Sequence, residues 1–412
     1  MKCHYRQLVA LVILLLSPHL VTAQINGHIK ALGLYSSYAQ DSIYYPINQG
    51  KSLDFNTVSR VNIDHFQGSF GFEGAYQLIT QVGDSYQHQN ANNTIAATPI
   101  SDQHRLFDLS ASLMSGQRYS IQHRLDRASI SYRSNNTVVK FGRQVVSWGN
   151  GLMFNPMDLF NPFSPSAVDK EYKTGDDLLY GQYLYDDGDD IQSLYVFRRD
   201  DNGKLTAEVA SLAIKYHGFW NNFEFDLLAA KHYQDNVFGV GLISALGESV
   251  VKADVVYTQA STHSVSAVLN WLYSFNMLTK NISASVEFYH NGFGLSGSRY
   301  SFSQLQLNPD LLRRIQAGEV FTLGKNYLAS SLMIEASPLW NITPALFYNI
   351  NDRSALLQFA SHYSLTQNSQ LLFASNAPIG SKGSEYRGIP ITTNGPFLSY
   401  EASIQLQLAW YF

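Results

Sequence analysis

Between positions 143 and 177 the chain gathers eight charged side chains of both signs: Arg143, Asp158, Asp169, Lys170, Glu171, Lys173, Asp176 and Asp177. Opposite charges this close favour ion pairing, and rows of them at a narrow aqueous passage set which ions pass. They do not make a covalent catalyst. The sequence has no Gly-x-Ser-x-Gly motif, the usual setting for a serine nucleophile. Its single cysteine is Cys3, so thiolate chemistry and disulfides are absent from the rest of the chain. Histidines such as His28, His123, His232 and His362 are scattered without ligand spacing, and the Asp186–Asp190 run lacks the spacing of a calcium loop. Neither a metal nor a cofactor is expected. The net charge of -4 gives no basic footprint, so nucleic acid is not an expected partner.

The eight charges flank a run with its own backbone logic. Trp148, Gly149, Asn155, Pro156, Asn161, Pro162 and Phe163 punctuate it, and Asn-Pro steps impose extended, turn-prone backbone. A long segment stiffened by proline and carrying aromatics is expected to pack rather than wave in solvent. Two roles are open for Arg143: contact with a passing solute, or pinning the loop to a wall through an acidic partner. A second run contains a helix signal. Asn308 can cap, Pro309 suits the first helical position, Leu311, Leu312 and Ile315 share a face, and Gly318 ends it.

The elements that carry these segments read as β-strands with two-residue periodicity. From Tyr400 to Phe412, Tyr400, Ala402, Ile404, Leu406, Leu408, Trp410 and Phe412 alternate with Glu401, Ser403, Gln405, Gln407, Ala409 and Tyr411. The same pattern sets Val286 and Phe288 against Ser285, Glu287 and Tyr289, and Leu269 and Trp271 against Asn270. A packed core rejects Glu on its inner face, whereas water accepts it. One face toward lipid and one toward water also explains a mean hydropathy of only -0.13 beside 13% aromatic residues. Short links alternate with long segments, Ala39–Asp54, Gly83–Asp126, Trp148–Asp177, Asn291–Lys325 and Pro378–Pro396, as in barrels with short periplasmic turns and long outer loops. The expected fold is all-β: a transmembrane antiparallel up-and-down barrel of about eighteen strands (16–18), with an inward-folded loop after strand five. Residues 1–23 read as a signal peptide, with Lys2 and Arg6 before an apolar run and Val21-Thr22-Ala23 as the cleavage site. Residues 24–412 then form one barrel domain.

The run Phe141-Gly-Arg143-Gln144, Trp148-Gly149, Asn155-Pro156, Asp158, Asn161-Pro162-Phe163 resembles a segment of porin-like, largely uncharacterised outer-membrane barrel families of proteobacteria. That resemblance implies a barrel in the outer membrane of a Gram-negative cell, reached through the periplasm. By analogy with general porins, the loop after strand five would form a constriction. The aromatic end, Trp410 and Phe412, is similar to the assembly signal of such barrels. The expected partners are outer-membrane lipid, periplasmic chaperones, the barrel-assembly machinery and small solutes, with the oligomeric state open. The expected function is passive passage of small hydrophilic solutes rather than enzymatic work. The alternative is a plugged or specialised barrel that transports or binds a polymeric or hydrophobic substrate, and an outer-membrane hydrolase ranks below both.

Overall fold

The computed structural model describes residues 23–92, 101–392 and 395–412, and residues 1–22 of the expected leader lie outside them. The chain runs up and down through β1 Gln24–Ser37, β2 Lys51–Gln67, β3 Phe70–Gly83 and β4 Tyr119–Arg133. It continues with β5 Thr137–Gln144, β6 Asp176–Leu184, β7 Asp190–Val196, β8 Ser211–Trp220 and β9 Phe223–His232. Next come β10 Asp235–Leu246, β11 Ser249–Gln259, β12 His263–Met277 and β13 Lys280–His290. The last five are β14 Asn326–Ser337, β15 Trp340–Asn349, β16 Ser354–Thr366, β17 Ser369–Ile379 and β18 Ser403–Tyr411. Each pairs antiparallel with its neighbours, and β1 closes on β18 from His28↔Tyr411 to Ser36↔Ser403. Closure leaves no unpaired edge, the condition for a sheet in hydrocarbon.

Alternation decides what each face touches. Leu53, Phe55, Leu227, Phe238, Leu269, Leu406 and Trp410 are exposed on the outside, where lipid solvates them. The partners of those rows point inward and are polar or small, among them Asp54, Asn270, Glu287 and Gln407. The eighteen-strand antiparallel transmembrane barrel expected from the periodicity is the fold observed. The helix in the 291–325 loop forms over Pro309–Gln316, with the Asn308 side chain accepting from Leu311 N–H.

Three boundaries differ from the sequence reading. Gly83–Asp126 is not one long connection. It contains a short strand, Ser110–Ser115, and the first half of β4. The pattern was masked because β4 holds a bulge: the register passes from Ala75↔Arg127 to Tyr76↔Leu125 and skips Asp126. The bulge breaks the two-residue period, and Asp126 and Arg127 both meet inward partners. At the C-terminus the strand starts at Ser403, while Tyr400 instead packs on Tyr38 and Tyr44. β2 likewise begins at Lys51, inside the expected Ala39–Asp54 connection.

Strands β5 and β7, with 8 and 7 residues, are shorter than the ~9–11 a spanning strand needs. The missing wall comes from the preceding outer loop. Ser110–Ser115 pairs with β4, and the backbone of Arg105 forms an antiparallel β-bridge with that of Arg198. Arg143 joins this patch to the barrel. Gly142 precedes it at φ 123, where a Cβ would lie 2.2 Å from the Ala128 carbonyl oxygen, so the alternation that leaves its direction open breaks here. The buried guanidinium donates to both Asp177 oxygens at 2.8 and 3.1 Å, to Asp102 at 2.9 Å, and to the Phe107 carbonyl at 2.8 Å.

Removing that cation leaves two buried carboxylates without it, a loss of about 3–5 kcal/mol. Arg143→Ala is expected to lower the urea midpoint of the refolded barrel in detergent. Arg143→Lys should recover only part, because an ammonium cannot supply the planar fork; full recovery by Lys would refute the bidentate account.

A lumen-crossing loop and the polar cavity beside it

The 145–175 loop leaves β5, the fifth barrel strand, and enters the lumen as two fingers. The first runs toward β7 and β11–β15. Trp148 donates its indole N–H to Gln192 at 2.7 Å, and Asn150 donates to both oxygens of Asp254 at 2.6 and 2.8 Å. Leu152, Met153 and Phe154 then aim three successive backbone N–H groups at the Glu287 carboxylate, the shortest at 2.6 Å. Phe154 stacks on Tyr289, with ring centroids 4.7 Å apart, and touches Tyr327 and Phe347. Trp148, Met157 and Phe160 pack on Leu178, Leu194 and Val196. This half of the lumen is filled.

The motif residues turn the chain back on itself. Asn155 donates its amide to the Trp148 carbonyl at 2.9 Å, and Asn161 donates to the Thr174 carbonyl at 3.4 Å. Gly149 has φ 91, with Asn155 Oδ1 2.2 Å from where a Cβ would stand. At the base of both fingers the buried Lys173 ammonium donates to both Asp158 oxygens at 2.6 Å and to the Val146 carbonyl at 2.9 Å. Burial pushes the Asp158 carboxyl up and draws the Lys173 ammonium down, each opposed by the other's charge.

The second finger crosses to β16, β18, β1 and β2. Gln358 donates to the Ser166 carbonyl at 2.8 Å. Lys30 bridges Asp169 and Glu171, both at 2.6 Å, and Tyr411 donates its hydroxyl to Glu171 at 2.9 Å. Burial acts to raise the Asp169 carboxyl, but hydrogen bonds from Lys30 and Gln407 outweigh it and hold the group below its ordinary value. Tyr172 lies under the Arg60 guanidinium, 4.3 Å from the ring centre. Unlike the first finger, this tip stays wet. Asp169, Glu171 and Tyr172 are exposed, and a polar cavity of about 470 Å³ opens among Lys30, Asp169, Glu171, Gln370, Gln407 and Tyr411.

The expected site residues therefore fall into three environments. Arg143 and Asp177 are buried in the wall with Asp102, and Asp176 faces Arg198 and Arg105 at 3.5 and 3.9 Å. Asp158 and Lys173 are buried at the loop's base. Asp169 and Glu171 stand at open water, and Lys170 approaches the Leu152 carbonyl at 3.5 Å. Phe163 and Pro162 border a small, mostly apolar cavity of about 70 Å³ beneath the 291–325 loop. Sequence reasoning missed Lys30, Arg60, Arg124, Asp126, Arg127 and Asp254 as lumen groups. Charges isolated on an otherwise small or uncharged row were the available signal, as at Glu287 among Ser283, Ser285 and Tyr289.

Two outer loops close over the packed half. Glu385, from the 380–402 loop, accepts from the Leu323 N–H at 3.0 Å, from the Asn349 amide at 2.7 Å and from the Tyr327 hydroxyl. Burial raises its carboxyl to about 7.

No protein-family model matches the sequence, and no curated protein does. Among solved structures, the chain is similar to a BenF-like porin from Pseudomonas fluorescens Pf-5, with 10% identity and a TM-score of 0.53 over 95% of this chain and 98% of that one. It is also similar to OccAB2 of Acinetobacter baumannii, with 9% identity and a TM-score of 0.52 over 95% and 98%. At such identity the likeness establishes a porin-type barrel fold.

Replacing Asp158 by Asn or Lys173 by Met alone is expected to cost ~3–5 kcal/mol by stranding a buried charge or its donors, and the pair together less than the sum. Chemical unfolding of the four proteins checks this; strict additivity would mean the groups do not interact. For Glu385, a raised folded pKa means the proton is held more tightly in the folded state. Its stabilisation is full below the unfolded value of 4.5 and fades as pH rises through about 7. Hydrogen exchange at the Leu323 amide should accelerate across that window, beyond the intrinsic base-catalysed rise, and Glu385→Gln should remove the excess.

Proposed function

We propose that this protein is an outer-membrane porin-like channel for passive passage of small hydrophilic solutes, entering from outside and leaving into the periplasm. The observation that carries this reading is the asymmetry of the lumen. The first finger packs dry against β7–β15, while the tip of the second leaves a wet, polar cavity against β1 and β16–β18. The path is therefore off-centre, with Lys30, Arg60, Asp169, Glu171 and Tyr172 at its narrowest level. In this reading Arg143, Asp158 and Lys173 hold the constriction in place without touching solute, and Asp169, Lys170 and Glu171 are the loop charges beside it.

The apolar belt is in contact with outer-membrane lipid, and export through the periplasm precedes assembly. Trp410 and Phe412 face outward at the closing seam, rings 5.3 Å apart, while Phe412 exchanges two backbone hydrogen bonds with Gly27. That geometry supports a role for this end in assembly, with periplasmic chaperones and the barrel-assembly machinery as partners.

Refolded protein in a planar bilayer is expected to give steady single-channel openings. Because Lys30 is matched by two carboxylates, Lys30→Ala should shift the reversal potential in a salt gradient toward cation selectivity. Glu171→Gln should shift it the other way. A barrel that never conducts would refute the channel.

A further inference from the structure

Along the β1–β18 seam, aromatic rings recur at two levels on the open side of the lumen. At the outer mouth Tyr38, Tyr44 and Tyr400 form a cluster with centroids 5.1–5.6 Å apart. They line a cavity of about 240 Å³ that also takes in Asp54, Asn56 and Gln81. At the constriction Tyr172 is exposed, with the His28 ring 4.9 Å away. At the same level Tyr411, 5.9 Å from His28, lines the larger cavity with Gln367, Gln370 and Gln407. Leu34 borders the upper cavity and Lys30 the lower. Four residues of strand separate them by ~13 Å.

Net charge does not select a solute here. Lys30 meets Asp169 and Glu171, while Arg60, Arg124 and Arg127 surround Asp126, with Glu73 beside Arg127. With Lys170 lining the lower cavity and Asp54 the upper, five cations face five carboxylates. What remains is flat apolar ring surface, offered with little entropy loss, next to amides that both donate and accept. A molecule matching both has apolar C–H faces and many hydroxyls, carries no charge, and repeats along its length.

We infer that this seam is a binding track for a neutral carbohydrate chain, a substrate class that deepens the channel reading and rests on it. Tyr400, exposed at the mouth, Tyr172 and Tyr411 are the stacking platforms. Asn56, Gln81, Gln370 and Gln407 take the hydroxyls, as do the exposed oxygens of Asp169 and Glu171.

The test uses the full mature barrel and maltohexaose as probe, with polyethylene glycol of equal hydrodynamic size and the uncharged nucleoside uridine as comparisons. Ion current in a planar bilayer should fall saturably with maltohexaose and not with the glycol. Tyr172→Ala should weaken that block about tenfold, Tyr172→Phe should restore most of it, and the outward-facing Tyr183→Ala should leave it unchanged. Calorimetric titration of the detergent-solubilised barrel reads the same binding without needing conductance. Open channels that maltohexaose blocks no better than the glycol would overturn the track and leave the channel standing, as would stronger block by uridine. Absence of openings would overturn the channel, and absence of calorimetric binding would overturn the track.

Discussion

A loop of thirty-one residues cannot cross a water-filled lumen in one conformation unless something fixes its ends to each other. The Asp158–Lys173 pair does this where water is excluded, and the Lys173 ammonium also reaches the Val146 carbonyl. Three strands of loop backbone meet there. One finger extends from that point toward Glu287 and the other toward Lys30. The charge on Lys173 is matched by one carboxylate at contact distance, which is the condition under which a desolvated ion is tolerated.

From that base, the barrel wall supplies complementary ends. Glu287 and Asp254 would be unpaired charges on the inner face of a dry half-lumen. Backbone N–H groups from Leu152 to Phe154 and the Asn150 side chain satisfy them instead. Loop and wall are each unsatisfied without the other, so the fold of the loop and its docking are one event. On the wet side the pairing is looser: Asp169 and Glu171 share Lys30 and still keep contact with water. The difference in dielectric between the halves, rather than a difference in charge type, separates anchoring groups from groups available to a solute.

The same economy of wall and loop explains the short strands β5 and β7. A barrel whose fifth connection dives inward gives up wall height at that point, and the 101–115 segment replaces it from outside. Arg143 is buried because it lies where three pieces meet, the end of β5, the start of β6 and the inserted segment.

Much of the fold was legible because a strand's two-residue period and a bilayer's two solvents coincide: Leu406, Leu408 and Trp410 against Gln405, Gln407 and Tyr411 need no tertiary information to be assigned to opposite faces. The Asn308-capped helix was legible for the same reason, since capping is local. The sequence by itself thus determined the barrel, its approximate strand number and the unusual character of the 145–175 run. It did not reveal the bulge at Asp126, which breaks the period that makes strands visible. Nor did it separate Arg143, Asp158 and Lys173, which are buried, from Asp169 and Glu171, which meet water. Charge type and spacing are alike in both sets. Only the tertiary structure decided between them, because burial and partner depend on how separate segments come together: Asp102 lies 41 residues from Arg143, and Lys30 lies 139 from Asp169.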